Sequence, residues 1–136
     1  MNDLEHVSPE ILVWNPLIKL SKVGNMPILY NMESGEIHNN GSVISQCSNL
    51  EHLLMLKFLS QPNEVIKYED MFSSIHPDEF IPGHSTKAQK IYLVNYLRPL
   101  VFRLRKDLSN AGLPNNTIET VRSRGFIFNY SDQEII

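Results

Sequence analysis

The stretch from Lys87 to Arg124 holds most of the side chains that could act on a partner. It carries eight basic residues and two acids, a local charge of +6, while the remainder has four basic and thirteen acidic residues, or −9. The total of −3 repels polyanions, but the distribution describes one cationic surface on an acidic body. Within FRLRKDL, Arg103 and Lys106 stand three apart, flanked by Arg98, Phe102 and Arg105. On an exposed helical face that spacing brings side chains together. A guanidinium there presents a planar donor fork that fits phosphate oxygens or the O6 and N7 edge of guanine. Farther on, TIETVRSRGFIF sets Thr120, Arg122 and Arg124 around a turn, with donors suited to phosphate. Taken singly, these arginines read equally well as surface residues pairing with the acidic half.

Other constellations point to no chemistry. His6, His38, His52, His76 and His84 are scattered without ligand spacing, so no metal is expected. There is no glycine-rich phosphate loop, nucleophile elbow or Cys/His cluster, so no cofactor and no enzyme is expected. Cys47 is the single cysteine, which excludes an internal disulfide; it precedes an apolar helical pattern and reads as a small core residue. Asp78 and Glu79 lie in a proline-rich loop and read as solvated. No apolar run is long enough to span a bilayer, and the opening MNDLEHVSPE is acidic and polar. Neither membrane contact nor a secretory signal is therefore expected, and the chain reads as cytoplasmic.

The elements that position the cationic segment follow from local signals. With 136 residues and 42% hydrophobic content, residues 1–136 read as one domain. Ile11–Trp14 and Pro27–Tyr30 are strand-like, with Gly24-Asn25 between them. Turn signals stand at Glu33-Ser34-Gly35 and at Asn39-Asn40-Gly41, the latter a hairpin signal. An arm with the first strands over 1–26 and an antiparallel sheet over 27–47 follow. Ser48-Asn49-Leu50-Glu51 is a capping box that opens a helix with Leu50, Leu53, Leu54, Phe58 and Leu59 on one side; Gln61-Pro62-Asn63 stops it. Val65-Ile66 is a short strand leading to a helix from Tyr68 to about Ser74. HPDEFIPGHS is a loop. Leu93, Leu97, Leu100, Leu104 and Leu108 make an apolar stripe that Pro99 interrupts. A proline suits the first helical position, so the expectation is two helices, Ala88–Tyr96 and Pro99–Asn110, over a kinked single one. Gly112-Leu113-Pro114 closes the helical core of 48–112. Thr117–Arg122 and Gly125–Tyr130 form a hairpin over 117–130, with Ser123-Arg124-Gly125 at its tip.

Four pieces stand in order: SNLEHLLMLKFL at 48–59, SQPNEVIKYEDMF at 60–72, FRLRKDL at 102–108 and TIETVRSRGFIF at 117–128. Together, over about residues 27–130, they resemble the OmpR/PhoB-type winged-helix effector domain, found also in ToxR- and CadC-like regulators. That family runs from a Thr/Ser-x-x-Glu helix start through an Arg-Leu-Arg-Lys helix to a Thr-Val-Arg-Gly-x-Gly-Tyr wing. The resemblance implies an α+β winged helix-turn-helix: an N-terminal antiparallel sheet, a three-helix core and a C-terminal β-hairpin wing. It implies a bacterial transcription regulator that binds promoter DNA, with the Pro99–Asn110 helix in the major groove and the wing in the minor groove. Arg103 is then the first candidate for base reading, with Arg98 and Phe102 beside it and Arg105 and Lys106 on phosphate or in support. Thr120, Arg122 and Arg124 fall on the wing. Implied partners are double-stranded promoter DNA, a second copy in a homodimer or on tandem sites, and RNA polymerase or another regulator.

The departures are Ser123 for a wing glycine, Phe126 for a tyrosine, and Pro99 for an aliphatic at the head of the recognition helix. The connector between Tyr68 and Phe102 is also about ten residues longer, by the piece KAQKIYLVNY. Two framings stay open, a complete small regulator and the cytoplasmic part of a membrane-anchored one. The alternative function is a winged-helix protein-interaction module with weak or lost DNA binding.

Overall fold

The computed structural model describes residues 15–23 and 26–130; Ile11–Trp14, Gly24-Asn25, His6 and the terminal SDQEII lie outside them. The first sheet is an antiparallel meander of β1 (Leu17–Val23), β2 (Met26–Asn31), β3 (Glu36–Asn39) and β4 (Ser42–Gln46), in that order. Its turns are built by local chemistry. Asn31 Oδ1 accepts from the amides of Glu33 and Ser34 at 2.8 and 3.0 Å. Asn40 and Gly41 both adopt positive φ, 55° and 80°, as a two-residue hairpin turn requires. Leu20, Ile28, Tyr30 and Ile37 from this sheet are buried. The strands expected within 1–26 were not located at LIKLSKV; pairing with β2 through a bulge between Lys19 and Ser21 makes that segment β1.

Helix α1 (Asn49–Ser60) starts at the capping box. Ser48 Oγ accepts from the Glu51 amide, and Glu51 Oε1 accepts from the Ser48 amide at 2.7 Å. It buries Leu54, Met55 and Phe58, while Leu50, Leu53 and Leu59 are partly buried at its margin. After α1 come β5 (Val65–Lys67) and α2 (Tyr68–Ile75), then α3 (Thr86–Asn110), a 3-10 turn at Asn115–Thr117, β6 (Ile118–Val121) and β7 (Gly125–Phe128). The second sheet has the order β5-β7-β6, so the strand ahead of α2 pairs with the far arm of the hairpin. Gly125 permits that pairing: a Cβ there would sit 1.9 Å from the Ile66 carbonyl oxygen.

The expected break at Pro99 does not occur. α3 is one helix of 25 residues with Pro99 inside it. The piece KAQKIYLVNY is thus its first half, and the connector is the loop 76–85. The cause lies in the stripe. Leu93 and Leu97 before the proline and Leu100, Leu104 and Leu108 after it all bury on one side. Separating the halves would expose apolar surface worth about 1.5–3 kcal/mol per side chain, against about 3 kcal/mol for an interior proline. Pro99 itself is exposed, so its ring points away from the packed interface. The first half is anchored further by Tyr92 and Tyr96, which meet Phe72 of α2 edge-on at 5.9 and 5.4 Å. Ser85 caps it, its Oγ accepting from the Ala88 amide at 3.1 Å.

Candidate nucleic-acid interface

The exposed side of α3 and the β6–β7 hairpin form the two walls of a trough. Arg98, Phe102, Arg105, Thr120 and Arg122 line its central stretch. The hairpin is held against the helices by its aromatic residues. Phe126 meets Tyr68 of α2 edge-on at 5.5 Å, and Phe128 packs on Phe58 of α1 at 5.9 Å. Its tip turns through Ser123 at φ 66°. That is a left-handed conformation unusual for serine, at the position where the family pattern has glycine.

The sequence-predicted residues divide by what they touch. Arg98, Phe102, Lys106, Arg122 and Arg124 are exposed, and Phe102 keeps 65% of its surface in water. An outward phenylalanine on a helix otherwise lined by cations there presents an apolar plate suited to thymine methyl groups. Arg105 is engaged within the fold. Its Nε donates to the Ile118 carbonyl at 2.8 Å and its Nη2 to Thr120 Oγ1 at 2.9 Å, tying α3 to the first strand of the hairpin. Burial lowers its pKa from the ordinary guanidinium value. Arg105 and Thr120 are thus brought together with each other.

Arg103 lies toward α1, where its Nε is 3.9 Å from Glu51 Oε2. Glu51 is buried because it closes the α1 capping box. Asp107, one turn beyond Arg103, has its carboxyl pushed up by burial and then by Glu51, against the pull of Lys106 and Arg103. Arg103 thus faces the buried Glu51 carboxylate through its Nε while more than half of its side chain stays in water. The remaining polar groups serve the fold. Cys47 is buried, its thiol pushed up to about 12 by burial. His52 Nδ1 is hydrogen-bonded with the Tyr30 hydroxyl, and His76 pairs with Tyr96 and Glu79.

Three further cations line the surface at the hairpin tip: Lys67 at the end of β5, which lay outside the cationic segment of the sequence, and Lys87 and Lys90 of that segment, in the first turns of α3 and not among the expected contact residues. The helical spacing of Lys87 with Arg98 was available as a signal, but only for a helix unbroken at Pro99.

The sequence matches no family model and no curated protein. Solved structures do match. The DNA-binding domain of E. coli CadC superposes with a TM-score of 0.62 at 16% identity, covering 86% of this chain and 94% of that one. The Klebsiella pneumoniae RstA DNA-binding domain, solved in complex with RstA box, gives 0.59 at 16% identity over 83% and 96%. The AdeR DNA-binding domain, in complex with an intercistronic region, gives 0.53 at 14% identity over 76% and 95%. The chain shares the winged-helix fold of these DNA-binding domains. In winged-helix terms α2 and α3 are the helix-turn-helix and the β6–β7 hairpin the wing. Arg105 then joins α3 to the wing. Among the described residues no helix is long and apolar enough to cross a membrane.

Proposed function

We propose that this winged-helix domain is the DNA-binding part of a bacterial transcription regulator and recognises a specific promoter sequence. The observation that carries the reading is the composition of the α3–wing surface. Arg98, Phe102, Lys106, Arg122 and Arg124 all reach solvent there, on a chain whose remainder is acidic. In this reading α3 enters the major groove. Arg103, steadied by Glu51, and Phe102 meet base edges, while Lys106, Arg122 and Arg124 hold phosphates and the wing reaches the minor groove. Arg105 and Thr120 act by setting the angle between helix and wing. The domain does no catalysis, and it gains affinity by dimerising or by binding tandem sites. RNA polymerase or another regulator is its second contact.

The test is competition binding of the purified chain to its upstream region, with unrelated duplex as competitor, at two salt concentrations. Binding that survives the competitor and weakens steeply with salt supports a specific regulator. No binding at low salt removes the reading. A second reading, a winged helix recruited for protein contacts, is favoured by Phe80, which is 96% exposed in the loop beside Asp78 and Glu79.

A further inference from the structure

A helix of 25 residues is longer than reading one groove requires. At 1.5 Å per residue α3 spans about 37 Å, while the major groove is about 12 Å wide. If the Arg98–Lys106 stretch occupies the groove, Lys90 and Lys87 lie about 12 and 16 Å farther along the axis from Arg98. That distance carries them past the groove edge, to where the sugar–phosphate backbone runs.

The surface around them suits that neighbour. Toward the start of the helix further hollows adjoin the trough between α3 and the wing, and Tyr68 and Ser123 line each of them. In these hollows Lys67 and Arg124 stand on one side and Lys87 and Lys90 on the other, with Glu69 the acid among the lining residues. None of these four cations forms an ion pair among the described residues. All four are exposed, with no role in the core. Ile91, on the same outward side, is 52% exposed and gives the stripe an apolar contact beside the cations.

We infer that the first half of α3 is a second phosphate-binding arm, in which Lys87 and Lys90, with Lys67 and Arg124 across the trough, hold the DNA backbone beyond the groove that the second half enters. This rests on the DNA-binding reading above. The arm enlarges the footprint and adds affinity without adding sequence discrimination, because a lysine ammonium meets phosphate as a point charge. It also relates the continuous helix to the long stretch between Tyr68 and Phe102: the added residues lengthen the recognition helix along the duplex.

The test uses a duplex selected from a random pool by the parent chain, prepared in two lengths, one trimmed to the protected core and one extended at both ends. Fluorescence anisotropy is measured over a salt series for the parent, Lys87→Ala/Lys90→Ala and Lys87→Arg/Lys90→Arg. On the extended duplex the alanine pair is expected to bind about tenfold more weakly, with the salt slope smaller by about 2 at −0.9 per phosphate. It should bind the trimmed duplex like the parent. The arginine pair should keep the parent slope, and the ratio of specific to non-specific affinity should not change for either. A parent-like slope for the alanine pair on the extended duplex overturns the inference and gives this face to a protein partner. A loss of discrimination overturns it as well, because the lysines would then be reading bases. Failure of the parent to select any duplex is a separate result and removes the DNA-binding reading itself.

Discussion

Arg105 offers the sharpest separation between a residue that touches DNA and one that shapes the surface. It donates to the Ile118 carbonyl at 2.8 Å and to Thr120 Oγ1 at 2.9 Å. A hydrogen bond from a charged donor contributes about 1.5–3 kcal/mol net when buried, and less where water shares the site. Arg105 is half-buried. Arg105→Ala is therefore expected to cost about 2–3 kcal/mol of stability, and Thr120→Val, which removes one acceptor and keeps the β-branch, about 1 kcal/mol. Because both act on one bond, the double variant should recover about 1 kcal/mol relative to the sum. Urea denaturation reads this as a falling midpoint at constant slope. The same variants then go into the DNA salt series. A residue that only holds the wing lowers affinity while the slope stays near that of the parent. A phosphate contact lowers the slope by about 0.9. An Arg105→Ala variant with unchanged urea midpoint and a slope smaller by that amount would refute the assignment, and Arg105 would rejoin the direct contacts.

Three other outcomes follow from the geometry. Ser123→Gly should raise stability by about 1 kcal/mol in the urea assay, since serine at φ 66° bears a steric cost that glycine does not; a neutral or destabilising result would show that the serine hydroxyl repays the strain. Pro99→Ala should stabilise by about 2–3 kcal/mol, because α3 regains an amide donor and the exposed ring has no place in the core; thermal melts would refute this if the melting point fell. Burial lowers the pKa of His52, with the backbone bond to Met32 opposing. Its contribution is therefore complete above the unfolded value of about 6.5 and is lost as pH falls below it toward the folded value. His52→Gln should flatten the decline in stability between pH 7 and 5.5, and identical profiles for the two proteins would acquit His52. Asp107 acts in the opposite sense: its raised pKa favours the folded state at low pH and ceases to as pH rises past that value.

Much of the fold was legible because its determinants are local. The hairpin at Asn40-Gly41 follows from two residues that tolerate positive φ, and the start of α1 from Ser48 and Glu51 three positions apart. The wing hairpin and its tip were equally readable. Local reasoning failed at Pro99, where the intrinsic preference for a helix start yielded to five leucines that share one buried side. Propensity is worth a few kcal/mol at most, and packing on both sides of the proline exceeds it. Strands were expected within 1–26, but β1 was not located at LIKLSKV because its strand character comes from its pairing with β2.

The candidate site divides along the same line. Residue types and helical spacing by themselves determined that a cationic segment exists, that Phe102, Arg103 and Lys106 share a helix, and that Arg122 and Arg124 flank a turn; that Arg98 belongs to the same helix came from the structure. Only the tertiary structure decided which cations are available to a partner. Arg105 meets Thr120 fifteen residues away, and Arg103 approaches Glu51 on another helix. Lys67 reaches the wing tip because β5 pairs with β7, a contact that Gly125 allows by lacking a side chain. Local signals act through bonds spanning three or four residues, whereas the engagement of a charge depends on what long-range packing brings within hydrogen-bonding reach.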